Sequence, residues 1–441
     1  MKKLVIALLS AIVTIFLSIF VTCNWPASYC DSCKLEFDLD DGVWDARRIA
    51  SAIHSVPNMA TAVFRGNLTD NVLSYIGTSL EERHYEINLD LGECTGLDSL
   101  PARIFKCCYG LVSISIPSSV TKIGHYAFLR CSSLRSVTIS SGLSSIGLDV
   151  FDGCSELNLI AVDTANVHFK DIDGVLFSKD EKKLICYPPN KKETFYEIPA
   201  SVTDINNIDF DECRNLLSIM VDAANVNFKD IDGVLFSKDG KRLISYPPGK
   251  KGTFYEIPSG VTAIEMHAFS NCTNLTAITI PSGIDTIGYY AFYNCIQLES
   301  VTIPSSVKSI GDRAFCYCRK LMSITVDTAN GYYKDIDGVL FSKDERELIC
   351  YPSDKKGTSY EIPDGVTWIN SSAFCYSHNL TSITMPRSLM YVYDYAFLDC
   401  FNLALVNYSG TSEQWLSIII YENGNSWLLD AIKKYDYVQG F

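Results

Sequence analysis

Histidine is scarce in this chain, and basic residues are outnumbered. There are six His, and 37 Lys and Arg stand against 51 Asp and Glu, giving a formal net charge of −14. Affinity for nucleic acid comes largely from Lys and Arg neutralising phosphates, so this balance argues against such a partner and against electrostatic docking on anionic lipid. The His residues (54, 84, 125, 168, 267 and 378) never fall at zinc-ligand spacing, and His-Glu-x-x-His is missing. So are the Gly-x-Ser-x-Gly elbow and the phosphate-binding glycine loop. No paired-carboxylate signal of a glycan hydrolase stands out. The chain reads as a non-enzyme, with no catalytic residue, metal ligand or cofactor assigned.

Long uncharged runs are also rare. The one that matters is Leu4 to Val21, 18 residues behind Lys2 and Lys3. It reads as an export signal over residues 1–22. Its length is long for a cleaved signal and short for a span, so a retained anchor stands beside cleavage. Cys23 follows Phe20-Val21-Thr22, a loose match to a bacterial lipobox, which makes Cys23 the candidate lipidation site; ordinary signal cleavage is the alternative. The expected location is the cell surface, as an outer-membrane lipoprotein, or the medium.

What the chain has in quantity is a ruler. Phe105, Phe128, Phe151, Phe210, Phe269, Phe292, Phe315, Phe374 and Phe397 follow one another at steps of 23 or 59 residues. Three residues after each comes Cys, with Ser377 the one exception, and six after each comes Leu. A fixed period of this size means a solenoid of stacked units. It also reinterprets the 17 cysteines. Eight of them share one position per unit, where equivalent side chains point the same way, so they read as a column of buried free thiols and not as disulfides. Cys30-Asp31-Ser32-Cys33 lies just past the signal and reads as a local disulfide or a flexible tether.

Within a unit, Leu134, Val137 and Ile139 mark a short strand with an apolar inner side, and the frame recurs at Leu298, Val301 and Ile303. Pro often closes the strand, as at Pro281 and Pro304. A second apolar pair, such as Val307 and Ile310, precedes Gly and then Ala-Phe. Twenty-three residues leave no room for a full outer helix, so short turns or 3₁₀ segments are expected opposite a parallel sheet. The 59-residue step is read as the plain unit plus a 36-residue insert, used three times. Each insert is expected to be a hairpin: Val234-Leu235-Phe236, a turn at 238–241, and a return at 243–246. Asp171-Ile172-Asp173-Gly174 has calcium-like acids, but its Gly falls too early, and a hairpin turn is the better reading.

The expected domains are a small α/β cap at 34–93, a solenoid of nine units at 94–405, and a closing cap at 406–441. In the first cap, 44–56 and 69–82 look helical and 61–64 and 87–91 extended, with Thr69 as an N-cap. In the last, Trp415, Trp427 and the run 416–421 supply apolar surface.

The motif Leu-x-x-Ile-x-Ile-Pro-x-x-Val-x-x-Ile-Gly-x-x-Ala-Phe-x-x-Cys, over roughly residues 86–405, resembles the BspA-like leucine-rich repeat family. Asp-Gly-Val-Leu-Phe-Ser-Lys-Asp with Tyr-Pro-Pro looks like a variant within it, 408–415 like its closing segment, and 87–97 like treponeme members. The resemblance implies a leucine-rich repeat solenoid, a strand-rich α/β-type horseshoe. It also implies surface or secreted proteins of bacteria and some protists, several of which bind host matrix proteins or other microbes.

Two surfaces are candidates for binding. One is the sheet face carrying Ser113, Ser115, Ser136, Thr138, Thr279, Thr302, Thr325 and Thr384, flat, neutral and rich in hydroxyls. The other is the row of inserts, where Tyr187, Tyr246 and Tyr351 stand near Lys pairs such as Lys250 and Lys251 and look like anchors. The function expected is an adhesin or scaffold binding an extracellular protein or glycan, possession of a lipid anchor being optional; the alternative is a passive envelope protein.

Overall fold

In the computed structural model the described residues are 34–40, 46–55, 58–82, 85–205 and 210–436. The readings of the export signal, of Cys23 and of Cys30 with Cys33 lie outside them. The chain divides into two compact units, residues 1–192 with 201–212, and 193–200 with 213–441.

The first unit opens with strand β1 (Lys34–Asp38), helix α1 (Ala46–Ser55), strand β2 (Ala60–Asn67), helix α2 (Asp70–Glu81) and strand β3 (Ile87–Thr95). Helix α2 starts where the Thr69 side chain accepts the Val72 N–H at 3.4 Å, and Leu73, Ile76 and Leu80 give it one buried stripe. Strand β1 went unread in the sequence, although Leu35 and Phe37 alternate with polar residues. Phe37 stacks on Phe64 at 4.6 Å. The three strands are parallel and continue through Leu111–Ser115, Ser136–Ile139 and Leu159–Val162 as one six-stranded sheet.

From there each 23-residue turn has the same cross-section. A front strand of about four residues turns its apolar side inward: Val137 and Ile139 are 1% and 0% exposed. A bend leads to a two-residue back strand, and Ser99–Leu100, Lys122–Ile123 and Ser145–Ile146 pair in parallel. Glycine follows because neighbouring backbones nearly touch: a Cβ at Gly288 would lie 2.5 Å from Met266 N. The Ala-Phe-x-x-Cys segment then closes the turn without regular structure and makes its own seam. The N–H groups of Tyr126, Phe128 and Arg130 donate to Leu148, Val150 and Asp152 of the next turn at 3.0, 3.0 and 2.7 Å.

The ruler is the core. Phe105, Phe128 and Phe151 stack at 5.4 and 5.7 Å, and Phe269, Phe292 and Phe315 at 5.1 and 5.4 Å. Burying each ring stabilises by roughly 1.5–3 kcal/mol. The eight ruler cysteines are free and buried. Their thiols reach back a turn: Cys131 donates to Phe105 O at 2.9 Å, Cys295 to Phe269 O at 3.0 Å, and Cys318 to Phe292 O at 3.1 Å. The thiol is a small apolar group that adds a second, weak donor to a carbonyl already accepting a backbone N–H, as Phe105 O does from Cys108 at 3.2 Å.

The inserts differ from their sequence reading in two ways. Each is a three-stranded antiparallel meander; in the second unit Phe228–Ile231 precedes Val234–Ser237 and Arg242–Ser245. The first strand, Phe-Lys-Asp-Ile, has the weak strand propensity of its Asp and Lys and was invisible as a strand. Nor is the meander a side appendage. Its third strand pairs in parallel with Ala263–Ile264 on the back, and the chain then supplies a front strand, Phe254–Glu256, paired with Ala277–Thr279. The 36 residues thus complete a turn of their own.

Candidate functional site

The serine and threonine face lies where expected, on the outer side of the front strands. Thr138, Thr279, Thr302 and Thr325 are exposed, whereas Ser113, Ser115, Ser136 and Thr384 are half-buried. Ser113 pairs across from Ser136 and Ser115 from Thr138. The Thr302 and Thr325 hydroxyls are 3.0 Å apart and satisfy each other.

The insert anchors are corrected by burial. Tyr187, Tyr246 and Tyr351 are 3%, 4% and 3% exposed. Each stacks on the next ruler phenylalanine: Tyr187 on Phe210 at 5.7 Å, Tyr246 on Phe269 at 5.3 Å, and Tyr351 on Phe374 at 5.0 Å. They are the ruler residues of the 36-residue turns, each lying 23 before a Phe. Burial, with Asp337 nearby, pushes the Tyr351 phenol up to about 12. The first lysine of each pair is committed as well: Lys250 Nζ donates to Asp232 O at 2.5 Å, and Lys191 to Asp173 O at 2.6 Å. Lys251 is exposed.

The Asp-Ile-Asp-Gly motif is the turn it was read as. Asp232 and Gly233 have φ of +53° and +70°, the two left-handed residues of a type I′ hairpin. It does a further task. The Asp230 carboxylate accepts the Val221 N–H at 2.9 Å and Gly233 O accepts that of Ile219 at 2.9 Å, so the motif covers the open edge of the front strand. Asp335 treats Val326 in the same way.

The surface that went unrecognised is the loop face. The turns of Phe105, Phe128, Phe151, Phe269, Phe292, Phe315, Phe374 and Phe397 each place two residues in left-handed backbone, one two before the Phe and one two after it, and these are mostly not glycine. In the second unit several of these positions and their neighbours are aromatic. Tyr290 contacts Tyr293 at 5.5 Å, Tyr293 contacts Tyr317 at 5.4 Å, Tyr317 contacts Tyr376 at 5.9 Å, Tyr376 contacts Phe401 at 5.6 Å, and Phe401 contacts Trp427 at 6.1 Å. Arg319 lies 4.4 Å over Tyr376, and Arg313 sits over both Tyr290 and Tyr395, at 5.5 and 4.3 Å. Tyr317 donates to Asp399 Oδ2 at 2.6 Å; burial first, and this carboxylate second, raise its pKa. The signal was available in the letters that vary around Ala-Phe-x-x-Cys while the ruler holds still. The closing segment also differs from expectation: Trp415, Ile418 and Leu428 are buried, but Leu416 is 83% and Trp427 38% exposed.

Two remaining features belong together. In the first unit a cleft of about 340 Å³ beside the 36-residue turn is lined by Phe151, Asp152, Phe169, Cys186, Tyr187 and Asp211 among others. The residues directly after Phe315 and Phe374, equivalent to Asp152 and Asp211, are Cys316 and Cys375, which form a disulfide with Cα atoms 5.6 Å apart. Among the described residues no three His, Cys, Asp or Glu side chains gather in a metal-binding group, and no helix is long and apolar enough to cross a membrane.

A model of the BspA type leucine rich repeat region matches in six copies, over residues 98–194, 249–354 and 347–417, more than half of the chain. No curated protein matches it. Among solved structures the chain is similar to a leucine-rich repeat protein from Eubacterium ventriosum, with 25% identity over 78% of this chain and 79% of that one and a TM-score of 0.41. It is also similar to a leucine rich cell surface protein from Faecalibacterium prausnitzii, at 25% identity, 73% and 86% coverage and a TM-score of 0.32. Against the pneumococcal vaccine antigen PcpA the identity is 17%, the coverage 80% of each chain and the TM-score 0.34. With its strand-rich stacked turns, its aromatic ruler and the family model matched over more than half of its length, the chain belongs to the BspA type leucine-rich repeat family.

Proposed function

We propose that this chain is a non-catalytic binding scaffold exported to a bacterial surface, where it acts as an adhesin for an extracellular protein or glycan. One observation carries the reading: solvent-facing side chains repeat once per turn at a constant place, as with exposed Thr279, Thr302 and Thr325 at 23-residue steps. A row of this kind offers many similar weak contacts, whose joint avidity exceeds that of any one. Residues 1–22 as a signal and Cys23 as a lipid attachment point complete the reading, with 34–93 and 406–441 as caps on the repeats of 94–405.

The test is adsorption of the purified chain to a panel of extracellular-matrix glycoproteins and cell-wall polysaccharides. Thr302→Ala is expected to change binding by less than about twofold, since one contact among many is lost. Deletion of two whole turns, residues 277–322, is expected to abolish it. Undiminished binding after the deletion refutes the avidity mechanism. A panel silent throughout leaves the passive envelope protein as the better reading.

A further inference from the structure

Backbone hydrogen bonds stitch consecutive plain turns together on the loop face. In the second unit His267, Phe269 and Asn271 donate their N–H groups to Tyr289, Ala291 and Tyr293 at 3.1, 2.8 and 2.8 Å. Tyr290, Phe292 and Asn294 donate in turn to Asp312, Ala314 and Cys316 at 3.2, 2.8 and 2.9 Å. The stitching stops at the next step. The equivalent N–H groups of Arg313, Phe315 and Tyr317 find no such acceptor among the described residues, because the 36-residue turn that follows carries no Ala-Phe-x-x-Cys segment. That turn supplies Tyr351, whose N–H donates onward to Ala373 O at 2.7 Å. The loops of Phe315 and Phe374 therefore meet across a step that the backbone seam does not close. The Cys316–Cys375 disulfide spans it, with the Tyr317 and Tyr376 rings in contact beside it at 5.9 Å.

We propose that this disulfide is a redox-sensitive clasp: oxidised, it fastens the junction that the 36-residue turn leaves unstitched, and reduced, it lets the two loops part. Two further observations support it. At the equivalent junction of the first unit, Asp152 and Asp211 occupy the cysteine positions and line a cleft of about 340 Å³, whereas the cleft beside Cys316 is about 20 Å³. The junction without a covalent link is the open one. The ruler column, moreover, is broken at this junction alone. Ser377, two residues past Cys375, stands in place of the ruler thiol; it is fully buried, and its hydroxyl makes no hydrogen bond among the described residues. A thiol would pack better there, but beside a disulfide it would compete for exchange. Cys318, two residues past Cys316, is restrained instead: it donates to Phe292 O at 3.1 Å, and burial raises its pKa well above the ordinary thiol range. Opening the clasp takes two electrons and two protons, which an external dithiol supplies. Its thiolate attacks one sulfur, Cys316 being the one that lines the residual cleft. Its second thiol then resolves the mixed disulfide, leaving two cysteine thiols and a cyclic disulfide.

The test compares amide hydrogen exchange in the full oxidised chain, in the same chain after dithiothreitol, and in the double variant Cys316→Ser, Cys375→Ser. In the second and third samples the stretches 313–318 and 372–377 are expected to exchange at least about tenfold faster than in the first. The stretch 267–271, held by the intact seam, is expected to exchange as before. The variant lacks both sulfurs and so separates the clasp from every other thiol; should it fold poorly, the dithiol-treated chain carries the same expectation. Three results overturn the proposal: a disulfide that the dithiol leaves intact in the folded chain, exchange that does not quicken at the junction, or exchange that quickens equally at 267–271, the mark of a general loss of stability. None of them touches the scaffold reading, which fails by the turn-deletion experiment.

Discussion

At position 130 the backbone φ is +60° and the side chain is arginine; one turn later the equivalent residue is Gly153, with φ +74°. A left-handed residue other than glycine costs roughly 1–2 kcal/mol, and the solenoid accepts it because that geometry aims the Arg130 N–H at Asp152 O, 2.7 Å away. Arg130→Gly relieves the strain but adds freedom to the unfolded chain, so the two nearly cancel, and a stability change below about 1 kcal/mol is expected. Arg130→Val puts a β-branched residue there and is expected to cost about 2 kcal/mol. Urea unfolding midpoints measure both; equal effects would show that position 130 is not held left-handed. Such positions were scarcely legible, since only Asp149, Gly153, Asn271, Asn294 and Asp399 among them carry the usual Gly, Asn or Asp of a left-handed bend. The inward residues were legible because burial tolerates few side chains, and the same constraint hid what the outward ones do.

The meander is held in place by a buried asparagine that sequence reading passed over. Asn330 is 1% exposed. Its amide donates to Pro304 O and Val307 O at 2.8 and 3.0 Å, and its oxygen accepts the N–H groups of Tyr332 and Tyr333, both at 2.8 Å. Asn166 makes the same four bonds. Asn330→Ala strands the Val307 carbonyl and two N–H groups at once, leaving Pro304 O only the Val307 N–H, and is expected to cost about 3 kcal/mol or more. Asp335→Asn keeps an oxygen for the Val326 N–H and is expected to cost about 1 kcal/mol or less. Denaturant unfolding of the two variants side by side checks the contrast. The element's Asp-Gly turn was legible from its letters, whereas its first strand was hidden by the weak strand propensity of Lys and Asp, and its place within the stack depends on the third strand pairing with a later turn.

For the molecule as a whole, the thiols couple folding to pH. Burial pushes Cys94 and Cys400 from 9.0 up to about 12, and it drives Cys108, Cys154, Cys295, Cys318 and Cys350 in the same direction. In the unfolded chain these groups ionise near their ordinary value, so unfolding releases protons at alkaline pH. Their contribution is fully present below pH 9 and is lost as pH rises toward 12. Unfolding free energy is expected to fall above pH 9 by roughly 1.4 kcal/mol per pH unit for each thiol involved. Urea titrations across that range measure the slope, and a flat line would mean that the thiols are not protected by burial. The ruler made the column of Cys108, Cys154, Cys295, Cys318 and Cys400 legible, but not Cys94 and Cys350, which lie off it, nor the Cys316–Cys375 disulfide, whose partners lie 59 residues apart. The 36-residue turn has one more consequence. It begins from a front strand and returns the chain to one, as between Ser218–Val221 and Phe254–Glu256 and again between Ser323–Val326 and Ser359–Glu361. Recombination between such blocks adds or removes whole turns in frame and keeps the inward ruler side chains in register with those of the turns that remain.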